Sequence, residues 1–336
     1  MIARPYLLFL ASARDLNEAK TAAGIARFRP EDCAGELAYD DCHTSTGLPR
    51  MSIEEAVAAG ARTLVLGVAA SGGALDPRWI ETIAGALTAG LDIASGMHMR
   101  LRDQPVLAEL AARHGRALHD VRIPPAHLPI GTGRPRPGRR VLTVGTDCSV
   151  GKMFTALLLE AELHRRGVSA TFRATGQTGI LIAGTGVPVD AVVADFLSGA
   201  VEQLAPAAEN PDHWDVIEGQ GSLFHPSFAG VSLGLLHGAA PDRMILCHDP
   251  TRTRMRGDTD HRLPSLTACR ARNEDLARLT NPRARVVGIA LNTSRLDEKG
   301  ASQAIDGASD ELGMPACDPI RTGVTALVDA LLAPGD

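Results

Sequence analysis

A glycine-rich segment near the middle of the chain carries the residues best suited to binding an anion. The strand-like run 140–144 leads into the letters GTDCSVGK, and a stretch with the apolar spacing of a helix follows. A strand, a glycine-rich turn and a helix N-terminus direct several main-chain N–H groups towards one point, where the helix dipole is positive. The predicted cradle for a phosphate or diphosphate consists of Gly145, Thr146, Cys148, Ser149, Val150, Gly151, Lys152 and Met153.

This segment departs from the usual phosphate loop, G-x-x-x-x-G-K-[ST], at two positions. Gly145 lies one residue earlier than the first glycine of that pattern, which resembles the GTD-x-x-VGK loop of dethiobiotin synthetase. Met153 replaces the Ser or Thr that holds Mg²⁺ in phosphoryl-transfer enzymes. An efficient Mg-nucleotide hydrolase is therefore disfavoured unless Thr155 or Ser149 supplies the hydroxyl. The cradle equally suits coenzyme A, which carries a diphosphate and a 3′-phosphate.

Polar residues also follow two later strand-like segments. The candidates after the segment 169–174 are Arg173, Thr175 and Gln177, and the segment 213–218 contributes Glu218 and Gln220. Ligands of open α/β sheets bind at the carboxyl ends of strands, so we expect these side chains to contact a substrate. A carboxylate at such a strand end commonly binds a metal or polarises a nucleophile. A polar turn and an acidic strand end at the surface are the alternative interpretations.

Arginines at alternate positions follow the strand-like segment 243–247. Arg252, Arg254 and Arg256 would face one way in an extended loop. Arginine captures carboxylates and phosphates with two parallel hydrogen bonds, so Arg252 and Arg254 are candidate substrate ligands. A solvated surface loop is the competing interpretation.

Several classes of catalytic site have no support. The chain contains no His/Cys cluster with zinc spacing and no G-x-S-x-G nucleophile elbow. The sequence therefore supports neither a metalloprotease nor a serine hydrolase, and we expect no bound metal.

Alternating strand-like and helix-like segments must position these residues. The first part contains strand-like segments at 7–10, 63–67 and 91–95 and helix-like segments at 15–28, 76–89 and 105–114. The second part contains strand-like segments at 140–144, 169–174, 213–218, 243–247 and 285–291 and helix-like segments at 152–166 and 325–332. Short apolar strands separated by longer helices predict parallel sheets covered on both faces.

A stretch rich in Pro, Gly and Arg separates the two parts. It has no apolar periodicity and is typical of an interdomain linker. We therefore predict an N-terminal α/β domain over residues 1–125, a linker over 126–139 and a C-terminal α/β domain over 140–336.

Composition limits the possible partners. The 336 residues carry 34 Lys+Arg and 39 Asp+Glu, a formal charge of -5, which argues against binding nucleic acid. Six cysteines without regular spacing indicate reduced thiols of a cytoplasmic protein. The apolar run 6–11 imitates part of a signal peptide, but it is short and better explained as a buried strand. No stretch is long and apolar enough for a membrane helix.

Seven segments together resemble one protein family. They are GVAASGGALDPRW, AGLDIASGMHMRL and ARHGRALHDVR in the first domain and VGTDCSVGKM, RATGQTGILIAG, VIEGQGSLFHP and ILCHDPTRTR in the second. The chain is similar to a former domain-of-unknown-function family that includes the DgcN-type D-glutamate N-acetyltransferases. The resemblance implies a Rossmann-like N-terminal domain and a P-loop NTPase-like, dethiobiotin-synthetase-like C-terminal domain.

The resemblance also implies transfer of an acetyl group from acetyl-CoA to the amino group of D-glutamate. In that reaction the loop 145–152 would hold the CoA phosphates, and Arg173, Arg252 or Arg254 would pair with the substrate carboxylates. Glu218 is the first candidate for the general base and Asp147 the second, because an ammonium group cannot attack a thioester. Lys152 or loop N–H groups would stabilise the oxyanion. A homodimer or a larger homo-oligomer is expected.

Two other functions stay open at this point. One is an ATP- and Mg-dependent ligase or kinase of the dethiobiotin synthetase type, in which Lys152 would contact the γ-phosphate and Glu218 the Mg²⁺; Met153 counts against it. The other is a non-catalytic sensor of a nucleotide or of CoA, which would bind its ligand without turnover.

Overall fold

The computed structural model describes residues 2–16, 18–68, 76–257 and 260–334. The chain divides into two compact units. One unit comprises Met1–Pro124 with Gln177–Pro188, and the other comprises Pro125–Gly176 with Val189–Asp336. Residues 69–75, which include most of the GVAASGGAL motif, lie outside the described residues.

The first unit is built on a parallel sheet. Its strands are β1 (Tyr6–Ala11), β2 (Cys33–Ala38), β3 (Thr63–Leu66), β4 (Asp92–Ser95) and β5 (Leu118–Asp120), in the spatial order β2-β1-β3-β4-β5. Its helices are α1 (Lys20–Phe28), α2 (Ile53–Ala58), α3 (Pro77–Thr88), α4 (Pro105–His114) and the segment Gln177–Ala183. The parallel sheet confirms the prediction from the alternation, and its doubly wound order 2-1-3-4-5 agrees with the Rossmann-like domain that the resemblance implies.

The local sequence explains the best-defined elements of this unit. All six residues of β1 are buried, as expected for a central strand covered on both faces. Asp76 caps α3 by accepting a hydrogen bond from the main-chain N–H of Arg78, and Pro77 occupies the first turn. The helix α1 begins at Lys20, five residues later than the apolar spacing predicts.

The second unit contains the phosphate loop and a second parallel sheet. Its strands are β6 (Arg139–Gly145), β7 (Ala170–Arg173), β8 (Trp214–Ile217), β9 (Arg243–His248), β10 (Arg285–Leu291) and β11 (Ala316–Cys317), in the order β11-β10-β9-β6-β8-β7. Its helices are α5 (Lys152–Arg165), α7 (Ala194–Leu204), α8 (Ala229–Ala239), α9 (Leu266–Ala277), α10 (Glu298–Leu312) and α11 (Thr325–Leu332), and α6 is the Gln177–Ala183 helix of the first unit.

The strand order places β6 between β9 and β8, so the loop after β6 lies in the middle of the carboxyl edge of the sheet. Neighbouring strands are about 4.8 Å apart. Residues at the ends of β8 and β7 therefore lie on one side of the loop, and residues at the ends of β9 and β10 lie on the other. This is the edge at which α/β sheets bind ligands.

The Pro/Gly/Arg-rich stretch is held against the second unit by hydrogen bonds. The Arg136 guanidinium donates to the carbonyl oxygens of Glu202 and Ala205 at the end of α7 and to those of Gly238 and Ala239 at the end of α8. Arginine commonly satisfies the last carbonyl groups of a helix in this way. The domain boundaries given by the sequence stay predictions. Nothing in the sequence indicates that α6 belongs to the first unit.

Within the described part of the chain, none of the helices has the length and apolar character needed to cross a membrane.

Candidate functional site

The glycine-rich loop connects β6 to α5 in a conformation that two residues with positive φ allow. Ser149 has a φ of 54° and Gly151 a φ of 102°, and α5 starts at the next residue, Lys152. Because no side chain caps this helix N-terminus, its first main-chain N–H groups remain suited to an anion. The loop therefore has the local geometry of a phosphate cradle.

Lys152 lies inside the loop rather than in solvent. Its residue is 7% exposed, and its Nζ donates to the main-chain oxygen of Asp147 at 2.7 Å. Burial lowers the pKa of Lys152, because the protonated form loses hydration. An anion bound in the cradle would restore the interactions that this buried cation lacks.

Arg252 holds the outer part of the loop. Its Nη1 donates to the Asp147 carboxylate at 3.1 Å and to the carbonyl oxygen of Cys148 at 2.8 Å, and its Nη2 donates to the carbonyl oxygen of Ser149 at 2.9 Å. Asp249 pairs with its Nε at 3.0 Å. The guanidinium therefore joins the loop after β9 to the phosphate loop.

Asp147 is fully buried and has three donors. Besides Arg252, the main-chain N–H of Arg256 donates to its Oδ2 at 2.8 Å, and the N–H of Cys148 donates to its Oδ1 at 2.7 Å. Protonating this carboxylate would weaken three charge-assisted hydrogen bonds. Asp147 is thus better suited to fixing the loop than to accepting a proton.

Gly219 allows the strand end that carries Glu218 to lie close to Lys152 beside the loop. The end of β8 approaches β6 so closely that a Cβ on Gly219 would lie 1.6 Å from the carbonyl oxygen of Thr143 and 3.0 Å from Cδ of Lys152. The main-chain N–H of Gly219 also donates to the Thr143 hydroxyl at 2.9 Å. Only glycine permits this approach, which places the carboxylate of Glu218 within the field of the buried lysine.

The ends of β7 and β8 form a connected polar cluster around Glu218. Its Oε2 accepts hydrogen bonds from the main-chain N–H groups of Thr175 at 2.9 Å and Gly176 at 3.0 Å. The Thr175 hydroxyl donates to the main-chain oxygen of Glu218, and Gln220 Nε2 donates to the same hydroxyl at 3.2 Å. Glu218, Thr175 and Gln220 therefore lie together at the carboxyl edge of the sheet.

Burial raises the pKa of Glu218 to about 7. The residue is 4% exposed, and desolvation of the ionised form outweighs the hydrogen bonds from Thr175 and Gly176 and the nearby Lys152. A carboxyl group that titrates near neutrality can accept a proton at physiological pH and later release it.

The other predicted substrate ligands have partners elsewhere. Arg173 donates from Nε to Asp215 at 2.6 Å, and Arg254 is exposed and pairs with Asp260 at 2.8 Å. Gln177 starts α6 in the first unit, where its side chain lies against Gly96. The predicted contacts of these residues with a substrate remain predictions.

His225 is a neighbour of the loop that the sequence did not single out. Ligand atoms of Asp147, Cys148 and His225 lie within 4.8 Å of one another, the one group of this kind among the described residues. His225 is buried and contacts the carbonyl oxygen of Arg256 through Nε2 and the N–H of Ser227 through Nδ1. A histidine before a proline in VIEGQGSLFHP is the only signal in the sequence, and it is weak.

This group does not fit a divalent cation. The Asp147 carboxylate already has three donors, both nitrogens of His225 have partners, and the Arg252 guanidinium would repel a metal ion. Bound cations require free lone pairs and are typically surrounded by negative charge.

The hydroxyls that could replace the missing Mg²⁺ ligand are both engaged. Thr155 donates to the carbonyl oxygen of Gly151 at 3.0 Å and is buried within α5. The Ser149 hydroxyl accepts a hydrogen bond from Arg256 Nη1 at 2.5 Å. Both hydroxyls are therefore part of the hydrogen bonding that fixes the loop and the start of α5.

The chain matches both parts of a family described as a domain of unknown function. Its residues 31–124 match the Rossmann-like domain DUF1611_N, and residues 129–328 match the P-loop domain DUF1611_C. The structure is also similar to the crystal structure of a DUF1611 family protein from Anabaena variabilis, with a TM-score of 0.85, 33% identity and coverage of 98% of this chain and 99% of the other.

Two curated relatives are similar over nearly the whole sequence. A D-glutamate N-acetyltransferase from Tritonibacter scottomollicae is 52% identical over 333 residues, which cover 99% of this chain and 100% of the relative. A D-glutamate N-acetyltransferase from a Pseudoalteromonas species is 48% identical over 324 residues, which cover 96% of this chain and 97% of the relative.

Replacing Gly219 tests the close approach of β8 to β6. We expect Gly219→Ala to lower the free energy of unfolding by about 1–3 kcal/mol, because the new Cβ overlaps the Thr143 carbonyl. Gly230→Ala in α8 is the matched control, since a Cβ there meets nothing within 4 Å and alanine favours a helix by about 0.4–1 kcal/mol. Equal denaturation midpoints for the two variants would contradict the packing described.

Replacing Arg252 tests its hold on the loop. We expect Arg252→Gln to lower the free energy of unfolding by about 1.5–3 kcal/mol, because the buried Asp147 carboxylate loses a charged donor. Arg254→Gln removes an exposed ion pair two residues away and is expected to cost less than about 0.5 kcal/mol. Urea denaturation of both variants measures the difference, and similar losses would show that Arg252 has no special role.

Proposed function

Because the chain belongs to the DUF1611 family, we propose that it is a D-glutamate N-acetyltransferase. The curated relatives that carry this name match it over nearly their full length. The structural observation that carries the proposal is the position of Glu218, whose pKa is raised to about 7, next to an anion cradle. Acyl transfer to an ammonium group needs these two features: a site for the donor and a base for the amine.

Acetyl-CoA is the proposed donor. Its phosphates would interact with the main-chain N–H groups at the start of α5 and with the buried ammonium of Lys152. This binding requires no metal ion, in keeping with Met153 and with the engaged hydroxyls of Thr155 and Ser149.

The proposed reaction transfers one acyl group and removes two protons from the substrate nitrogen. Glu218 accepts the first proton from the ammonium of D-glutamate, and the free amine attacks the thioester carbonyl, which forms the C–N bond. Collapse of the tetrahedral intermediate breaks the C–S bond, and the leaving CoA thiolate takes the second proton of the nitrogen and departs as the thiol. Glu218 suits this role better than Asp147, because Asp147 would have to give up hydrogen bonds from three donors.

Other residues near Glu218 would stabilise the oxyanion and bind the substrate. Lys152 and loop N–H groups would stabilise the oxyanion of the intermediate. Thr175 and Gln220 lie beside Glu218 and would orient the amino acid. Arg173, Arg252 or Arg254 would bind the substrate carboxylates only if their present ion pairs open.

We also propose a cytoplasmic homo-oligomer. All six cysteines are free in the structure, as expected for a reducing compartment. The substrate is a small molecule, so neither nucleic acid nor a membrane takes part.

A coupled assay tests the proposed activity. With acetyl-CoA as donor, we expect release of free thiol on addition of D-glutamate. L-Glutamate should be slower in kcat/KM by about 10²-fold, because its inverted amine lies away from Glu218 and a misplacement of about 1 Å has an effect of that size. Thermal shift with the same ligands and with Mg-ATP provides the control. Stabilisation by Mg-ATP alone, without thiol release, would contradict the transferase.

The pH profile tests the general base. Glu218 acts in its ionised form, so kcat/KM is expected to rise with pH and to level off above a pKa of about 7. Glu218→Gln should lose this inflection and about 10²–10⁴-fold in rate. Asp147→Asn is the comparison, and it should retain the inflection whatever its rate.

The stability of the same variant separates a chemical effect from misfolding. The folded state raises the pKa of Glu218 from 4.5 to about 7, so it binds more protons than the unfolded chain in this range, and stability falls as pH rises through it. Glu218→Gln removes that fall and should be at least as stable as the wild type at pH 8. An unchanged pH profile in Glu218→Gln would show that another group is the base.

A further inference from the structure

A cavity of the C-terminal unit lies on the opposite side of the phosphate loop from Glu218. Its volume is about 240 Å³. It lies at the carboxyl ends of β9 and β10 and is lined on one side by α10. The wall includes Pro250, Leu266, Leu291, Ala304, His248 and Glu311.

The chemistry of this wall suits a flat ring with few polar atoms. Six of the nine lining residues are apolar, and the polar ones lie at separate points: His248 at the end of β9, Ser265 at the N-cap of α9 and Glu311 near the end of α10. Small-molecule sites typically combine an apolar wall with a few polar groups that fix orientation. No Lys or Arg lines the cavity, so it does not suit a phosphate.

A hydrogen bond connects the cavity to the phosphate loop. Thr146 of the loop contacts His248 Nδ1 through its hydroxyl at 2.9 Å, and its main-chain N–H donates to the carbonyl oxygen of Cys247 at 3.1 Å. Since β9 pairs directly with β6, the cavity begins about one strand spacing, roughly 4.8 Å, from the loop. A single ribose links the adenine and the diphosphate of an adenine nucleotide, and it can span such a distance.

We propose that this cavity binds the adenine ring of the acyl donor while the phosphate loop binds its diphosphate. The inference rests on the proposed function and specifies how the donor is oriented along the edge of the sheet. The donor would lie along the carboxyl edge of the sheet, with adenine over β9 and β10, phosphates at the end of β6, and the acyl arm over β8 and β7, where Glu218 lies.

Two polar groups of the wall suit adenine: Glu311 would contact the edge of the ring and His248 its face. Glu311 accepts hydrogen bonds from the N–H and hydroxyl of Thr267 through Oε1, which fixes its carboxylate at the cavity, where it can accept from the exocyclic amino group. The imidazole of His248 offers a flat surface, and histidine is among the side chains on which bases stack. Burial lowers the pKa of His248, which favours the neutral ring in this apolar setting.

Filling the cavity tests the proposal. Ala304→Trp places an indole in the cavity, and Ser302→Trp places one on the exposed, opposite side of α10 as the matched control. Binding of acetyl-CoA and of acetyl-4′-phosphopantetheine, which lacks the adenosine part, is measured for both variants and for the wild type. We expect Ala304→Trp to weaken acetyl-CoA by about tenfold or more. Its binding of acetyl-4′-phosphopantetheine, and every affinity of Ser302→Trp, should stay at the wild-type value.

Two results would overturn the proposal. Unchanged affinity for acetyl-CoA in Ala304→Trp would place the adenine elsewhere, and equal weakening of both thioesters would mean that the substitution acts through the loop or the fold. A smaller filling substitution, Ala308→Leu, repeats the comparison if the tryptophan lowers the melting temperature. It must give the same selective loss for the proposal to stand.

The same titration separates this proposal from the proposed function. If the wild type binds ATP or ADP but neither thioester, and Ala304→Trp loses that binding, the cavity is an adenine site and acetyl-CoA is not the donor. If the wild type binds acetyl-CoA and the filled cavity makes no difference, the donor stands and the adenine site fails.

Discussion

The close approach of β8 to β6 at Gly219 is the constraint on which the site depends. It brings the strand end that carries Glu218 close to the side chain of Lys152, so that the two charges influence each other, with both residues almost fully excluded from water. Burial then shifts each pKa towards neutrality, upward for the acid and downward for the amine. Glu218, which would stay ionised in water, becomes a group that can exchange a proton at physiological pH.

A second network, made of the ion pairs and hydrogen bonds of Arg252, fixes the conformation of the phosphate loop. Arg252 is paired with Asp147 and Asp249 and with loop carbonyl oxygens, so it has a positioning role in the present structure. Among the described residues, Lys152 donates a hydrogen bond only to the main-chain oxygen of Asp147. A chain with a net charge of -5 can thus bind an anion at one buried point, and the site requires no basic surface.

The sequence predicts the features whose causes are local. The strand, glycine turn and helix around Lys152 follow from neighbouring residues, and α4, β10 and α11 begin and end as predicted. Thr175, Glu218 and Gln220 were predicted to follow strands at the ligand-binding edge of a sheet, and the ends of β7 and β8 lie side by side there. The pairing of Arg252 with Asp147, the contact of Arg136 with two helix ends and the position of His225 depend on long-range packing. The spacing of residues along one chain does not determine such contacts.

The central claim is that the loop after β6 holds the phosphates of the acyl donor. A crystal structure of the protein with coenzyme A and D-glutamate tests it most directly. We expect the diphosphate to lie against the N–H groups at the start of α5, within hydrogen-bond distance of Lys152 Nζ. We expect the amino group of D-glutamate to lie beside Glu218. Phosphates bound away from this loop, or an amino group out of reach of Glu218, would contradict it.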